Sequence, residues 1–358
     1  MNAPVLDVDR ARPARALRIR EDLGAAPWDA YVQANPEASA YHRRGWLDLI
    51  GRAFGHEVRP LACVDGDAIR GVLPLVVMRS RLFGTHAVSL PFLNAGGVLA
   101  DDEGAARELA DAAVAVARER RANYLELRHV RRRFPDLGER RHRVAMSLAL
   151  ADSPERQWAA LDRKIRNQVR KAEKSSLTVK VGGPELLGDF YGIFARNMRD
   201  LGTPVFGRAL FEEVLRTFPD NTRVVCVSRG GVAGAAAIVH WRGAWMEVPW
   251  ASALRDFNVF AANMLLYWHM LLLAIGQGCR VFEFGRCAPG EGTFHFKKQW
   301  GAEPSPLVWE YWMAGGRPAS FDLHSGESSY GRAAALWRRL PLGVSTRLGP
   351  RIVRGIPC

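Results

Sequence analysis

Cysteine is scarce in this chain. Five residues of 358 (Cys63, Cys226, Cys279, Cys287 and Cys358) form no Cys-x-x-Cys pair and no even set. That excludes a disulfide framework and a thiolate zinc site, and reads as a reduced, cytoplasmic protein. The nine histidines are scattered without metal-ligand spacing, so no metal is expected. There is no Gly-x-Ser-x-Gly elbow, no Gly-x-x-x-x-Gly-Lys-Ser/Thr phosphate loop and no His-Glu-x-x-His. The N-terminus, MNAPVLDVDRARPARALRIRED, lacks the apolar core of a signal peptide. Uninterrupted hydrophobic runs are missing too. The stretch from Phe257 to Cys279 carries no charge, but Asn258, Asn263, His269 and Gln277 break it, which predicts a buried helix over 259–277 and not a membrane span.

Basic residues are abundant. Lys and Arg number 50 against 37 Asp and Glu, a formal charge of +13 that favours anionic partners such as phosphates, RNA or an acidic membrane surface. The length suits two domains, and the chain repeats itself. LACVDGDAIRGVLPLVV (61–77) and VCVSRGGVAGAAAIVHW (225–241) both read as strand, glycine turn, strand. Each is followed by a strand ending in a proline–aromatic pair (Pro91-Phe92, Pro249-Trp250), a long helix (103–121, 259–277) and a short strand with a glutamate, YLELR and VFEFG. Three landmarks recur at separations of 163 residues (Gly71 to Gly234), 158 (Pro91 to Pro249) and 157 (Glu126 to Glu283). The expectation is two copies of one mixed α/β unit, with Gly71 and Gly234 in equivalent turns and the two prolines at equivalent strand ends. Residues 1–24 form an extension, 25–150 the first copy, 151–320 the second, and 321–358 a loosely structured basic tail.

Two stretches carry candidate chemistry. A helix over 154–175 has one apolar stripe, with Arg163, Lys164, Arg166, Arg170, Lys171 and Lys174 crowding the rest, which suits either a solvated face or an anion-facing surface. GRCAPGEGTFHFKKQWGAEP (285–304) gathers Gly285, Gly290 and Gly292 with Arg286, His295, Lys297, Lys298 and Trp300 just after a strand, where loops commonly meet ligands. Glycine amides approach a ligand closely, and lysines suit a phosphate. Cys287 beside Arg286 has no named base and reads as inert.

These pieces resemble a known family. RKIRNQVRKAEK (163–174), RNMRDLGTPVF (196–206), PWASALRDFN (249–258) and FEFGRCAPGEGTFHFKKQWGAEP (282–304) are similar to the FemAB-related acyltransferases, more closely to the branch associated with exosortase and PEP-CTERM exopolysaccharide systems. YHRRGW (41–46), FGHEV (54–58), LPLVVMRSRLFG (73–84), SLPFLNAGGVL (89–99) and YLELR (124–128) match the same branch. The resemblance implies tandem GNAT-like domains, which agrees with the repeat. It also implies transfer of an acyl or aminoacyl group to an amine, at a site largely in the second domain near the interdomain cleft. Two departures stand out. The family strand reads Asp-Phe-Gly-Arg-Ser where this chain has Glu283 and Cys287, and there is no insertion of coiled-coil length, which weakens aminoacyl-tRNA relative to another activated donor.

The expected protein is therefore an α/β chain of two tandem GNAT-like domains acting as an N-acyltransferase. Its cosubstrate is an activated donor, acyl-CoA or aminoacyl-tRNA, and its acceptor is an amine on a small molecule, glycan or peptide. Lys297, Arg286 and the glycine loop with Gly292, Lys298 and Trp300 would meet an anionic group, with Arg166 and Arg170 nearby. Trp250, Asn258 and Asn263 would line the acyl or acceptor pocket, and Glu283 or His295 would accept the proton. The rival is a catalytically silent double-GNAT scaffold that binds RNA or an anionic membrane. The apolar residues of the tail are expected to pack back on the second copy; the alternative is a peripheral contact with the inner membrane through Trp337, Leu340 and Leu342.

Overall fold

A computed structural model describes residues 16–316 and 327–356. The first copy runs β1 (Leu17–Arg20), α1 (Ala25–Ala34), α2 (Arg44–Phe54), β2 (Glu57–Asp65), β3 (Ala68–Ser80), β4 (Gly84–Ser89), β5 (Leu99–Ala100), α3 (Glu103–Glu119), β6 (Tyr124–His129) and β7 (Gly138–Ala149). The second runs α4 (Pro154–Ala160), α5 (Arg163–Glu173), β8 (Leu177–Gly182), α6 (Leu187–Leu201), α7 (Arg208–Thr217), β9 (Thr222–Arg229), β10 (Val232–Arg242), β11 (Trp245–Ala253), α8 (Ala262–Gly276), β12 (Val281–Cys287), α9 (Gly292–Gln299) and β13 (Glu303–Met313). Helices α10 (Glu327–Arg338) and α11 (Leu342–Val353) follow. The first fifteen residues of the expected extension, the end of the expected second copy (317–320), the start of the tail (321–326) and residues 357–358 lie outside the described residues.

All the strands join one sheet in the order β1-β2-β3-β4-β6-β13-β7-β12-β11-β10-β9-β8, with β5 on β3. The order is a palindrome of the two copies. β4–β6 and β11–β12 are the parallel neighbours, as an intervening helix requires. At the centre the copies exchange their last strands: β13 pairs β6, and β7 pairs β12. One core is common to both copies. In it Trp46 of α2 lies 5.0 Å from Phe218 and 5.1 Å from His240. The opposite faces are covered separately, the first copy by α3 and the second by α8 under α5.

The glycine and proline landmarks need correction. Gly71 and Gly234 are equivalent, but each sits inside a strand at a register shift, while the turns use Gly66 and Gly230-Gly231. What each position demands is space: a Cβ on Gly71 would lie 2.8 Å from Leu109, and one on Gly234 2.0 Å from the Phe257 ring. Pro91 follows the end of β4, whereas Pro249 lies within β11 at a bulge against β10. The single helix expected over 154–175 is two, because Leu161 is extended and Asp162 starts a new helix by accepting from Lys164 N at 2.6 Å.

The buried helix is found as α8, preceded by a 3-10 turn over Arg255–Phe260. No residue from Ala262 to Ile275 is exposed. Among the described residues no helix is long and apolar enough to cross a membrane. The tail is helical and packs on α6, with Trp337, Leu340 and Leu342 partly buried, so these three are not free to insert in a bilayer.

Gly234→Ala tests the bulge packing. The displaced Phe257 ring should cost about 1–3 kcal/mol, seen as a lower melting temperature.

Candidate active site

Strands β11 and β12 pair over only three residues, ending at Glu247 opposite Glu283. Beyond that pair they part, and a wedge opens between Val248–Ala253 and Phe284–Cys287. Neighbouring residues of parallel strands project to one face, so both carboxylates stand side by side at the vertex. The register shift between Glu283 and Arg286, with Gly285 at φ 72°, turns the end of β12 outward.

Residues of the first copy complete this vertex. The Asn94 amide donates to Glu247 Oε1 at 2.5 Å and also faces Glu283. The Tyr41 hydroxyl is enclosed beside the Glu247 carboxylate. Burial, then the nearby Glu247 carboxylate, push its pKa well above the ordinary phenol value. Glu247 and Glu283 keep partial solvent access, yet dense surroundings strip most of their water. That desolvation raises both carboxyls, Glu247 further through repulsion by Glu283. Lys297 and Asn94 moderate Glu283, which rises to about 7. Two adjacent carboxyls of this kind titrate as a unit.

Lys297 and Arg286 supply the positive charge. Lys297 is on α9, not on a solvated loop. It is 6% exposed, and its Nζ donates to the carbonyls of Gly285 and Arg286, each at 2.9 Å. Burial lowers its pKa, against the pull of Cys287, Glu283 and Glu247. Its first job is thus to hold the outward turn of β12. Arg286 lies 5.4 Å from the centre of the Trp309 ring and donates to Leu93 O at 3.3 Å.

The structure brings Glu283, Arg286 and Lys297 together and places Trp250 on the same face of β11, packed at 5.2 Å on Phe211. The other expected residues are elsewhere. Gly292, His295 and Lys298 are exposed on α9, and Trp300 is buried in the outer core against Tyr267 and Phe284. Asn258 is exposed in the 3-10 turn, while Asn263 is half-buried in the first turn of α8, at the far end of the wedge. Arg166 and Arg170 sit on α5, where Arg170 stacks on Trp158 at 5.5 Å. Sequence reasoning missed Glu247, Tyr41 and Asn94. Glu247 stands where the first copy has Val88, each opposite the glutamate of its neighbouring parallel strand.

The first copy has no such site. Val88 stands opposite Glu126, and Glu126 is neutralised by Arg128 Nε at 2.6 Å and the Tyr311 hydroxyl at 2.7 Å. Its wedge is filled by the chain itself, which turns back through Leu90 and Phe92 at positive φ so that Gly96 and Gly97 donate to Arg128 O. Helix α3 is capped by the Asp102 carboxylate with Glu103 in its first turn. Helix α8 has neither a side-chain cap nor an acid there. The carboxylates at the first helix start disfavour an anion there, and the second helix start carries no such charge.

Residues 159–298 match the family model for an acetyltransferase (GNAT) domain. Among solved structures, one titled FemX is similar with a TM-score of 0.65 at 14% identity, covering 82% of this chain and 96% of that one. A tandem GNAT protein from the clavulanic acid biosynthesis pathway scores 0.51 at 14% identity, covering 84% and 99%. L-PGS from Bacillus licheniformis scores 0.51 at 12% identity, covering 87% and 96%. No curated protein sequence matches the chain. The fold is a mixed α/β tandem GNAT fold, and the wedge with its carboxylate pair lies in the copy that matches the acetyltransferase model.

Two measurements probe the site. Lys297→Ala should lower stability by about 2–4 kcal/mol, since it leaves a void and two unpaired carbonyls; a chemical denaturation curve reads this. Folding raises Glu283 from 4.5 to about 7, so over that interval the folded state holds a proton the unfolded chain has lost, and stability falls as pH rises. Glu283→Gln removes this cost. Its melting temperature should exceed the parent's by a few degrees at pH 8, and the gap should close near pH 4.

Proposed function

We propose that the second copy is an N-acyltransferase centre in which the Glu247–Glu283 pair accepts the proton of the attacking amine. The observation that carries this is the placement of two desolvated, partly accessible carboxyls at the vertex of the wedge, in the copy that matches the acetyltransferase model. A silent scaffold would gain nothing from two destabilising carboxyls at one point.

The donor enters along the wedge. Beyond Glu247 no residue of β11 pairs with β12, and an unpaired edge offers N–H and C=O groups to an extended amide-bearing arm. A phosphate at the other end of that arm meets the uncapped start of α8. This favours acyl-CoA as donor, with aminoacyl-tRNA as the second candidate. The acceptor amine comes from the side of Tyr41 and Asn94, between the copies. Its lone pair attacks the acyl carbonyl, the C–N bond forms, the thiolate (or the tRNA hydroxyl oxygen) leaves, and the amine proton passes to the carboxylate directly or through one water. Arg286 is positioned to bind an anionic group of the acceptor. A setting in exopolysaccharide or cell-envelope modification rests on the sequence resemblance alone.

The test is to incubate the full chain with acetyl-CoA and longer acyl-CoAs, or with charged tRNA, in the presence of amine pools, and to follow transfer by mass spectrometry. Failure of every donor, with intact folding, overturns the reading. Glu247→Gln should lower kcat by about 10²–10⁴ with little change in donor KM, and the parent's kcat should rise with pH through about 7, where Glu283 loses its proton.

A further inference from the structure

Far from the wedge, two elements distant in sequence share an exposed surface. The β3–β4 hairpin ends in Arg79-Ser80-Arg81-Leu82-Phe83, with Leu82 78% and Phe83 41% exposed. Helix α11 ends against it, so that a Cβ on Gly355 would lie 2.7 Å from Ser80 Oγ and 3.2 Å from the Phe83 ring. Along α11 the residues Ser345, Gly349 and Val353 are buried. Val344, Arg347, Leu348, Arg351 and Arg354, at spacings of three and four, are all exposed. This is an amphipathic helix whose outer face alternates leucine-type and arginine side chains.

The charge balance of this surface is one-sided. No acid occurs after Glu327, and the same segment holds Arg332, Arg338, Arg339, Arg347, Arg351 and Arg354. On the hairpin side the facing acid is Glu57, already taken by Arg79 at 3.1 Å and Arg120 at 2.9 Å. Between α2, α7 and α11 lies a recess of about 180 Å³ lined by Phe54, Leu210, Pro350, Arg351 and Arg354, apolar inside with arginines among its walls.

We infer that the hairpin tip and α11 together dock the protein on an anionic lipid bilayer. Exposed arginines meet the phosphates of the headgroups while Leu82, Phe83, Val344 and Leu348 enter the interface. The apolar residues at the tip distinguish this surface from a nucleic-acid track, because a phosphate backbone asks for charge and offers nothing to Leu82. The surface differs from the one expected of the tail alone, whose Trp337, Leu340 and Leu342 are engaged in packing.

The test is flotation of the full chain with phosphatidylcholine vesicles and with mixed phosphatidylcholine–phosphatidylglycerol vesicles. The parent should bind the anionic vesicles about tenfold or more tightly than the neutral ones. Leu82→Ser/Phe83→Ser and, separately, Arg347→Glu/Arg351→Glu should each weaken that binding about tenfold or more. Both pairs should keep the parent's melting temperature, because all four side chains are exposed. Equal affinity for the two vesicle types overturns the proposal, as does binding that both variants retain. A tRNA gel shift run in parallel gives the remaining outcome: if the arginine pair abolishes RNA binding and vesicles are never bound, the surface serves nucleic acid and the lipid assignment is wrong. None of these readouts needs acyl transfer, so the result stands apart from the fate of the proposed reaction.

Discussion

The exchange of β7 and β13 is the constraint on which the architecture rests. Because each copy lends its last strand to the other, neither sheet is complete alone, and a hydrophobic core with Trp46 and Trp250 in it forms only when both are present. The exchanged strand also fixes the loops beside the wedges. Glu310 on β13 accepts from the amides of Arg133 and Phe134 and bonds His129, all from the first copy. Trp309 beside it has the Arg128 guanidinium 4.2 Å and that of Arg286 5.4 Å from its ring centre. Both arginines reach the carbonyl of Leu93, immediately before Asn94. The placement of Asn94 against Glu247 thus descends from a strand supplied by the other end of the chain.

A fold with this symmetry could carry two sites, and the charge distribution leaves the candidate site in one copy. Where the second copy sets two carboxyls opposite each other, the first sets Val88 against a glutamate already paired with arginine. Where α8 begins without a side-chain cap, α3 begins with its own aspartate. The first copy has satisfied every group that the second leaves open. It has become a wall of the site, contributing Tyr41 and Asn94.

Much of this was legible in the chain. The spacing of Glu126 and Glu283 and of Gly71 and Gly234 reveals the two copies because a repeated unit must solve the same packing problem twice. The bulges were misread as turns, since a glycine needed for space looks the same in sequence as one needed for positive φ. The strand exchange left no local trace: β13 pairs residues some 180 positions away, and periodicity reports only faces, not partners. For the same reason Glu247 was overlooked. A glutamate in a strand becomes significant only when register places a second one beside it. Lys297 shows the converse error, a lysine beside glycines that reads as solvated until α9 turns it inward.

The charge inventory at the vertex explains how a carboxylate pair can be desolvated and still ionise. Glu247 and Glu283 stand with Lys297 and Arg286, so the fully ionised cluster is neutral, and taking up one proton leaves a single positive charge. Without the cations, burial of two adjacent carboxylates would cost far more than a folded chain tolerates, and one would stay protonated throughout. With a buried lysine paired directly to them, the carboxyls would fall to ordinary carboxylate values and be weaker proton acceptors. Lys297 sits between these limits. It is spent on two carbonyls and shielded from water, close enough to permit ionisation and too engaged to neutralise the pair. Seen this way, the outward turn of β12 and the basicity of the site have one origin, the burial of that lysine.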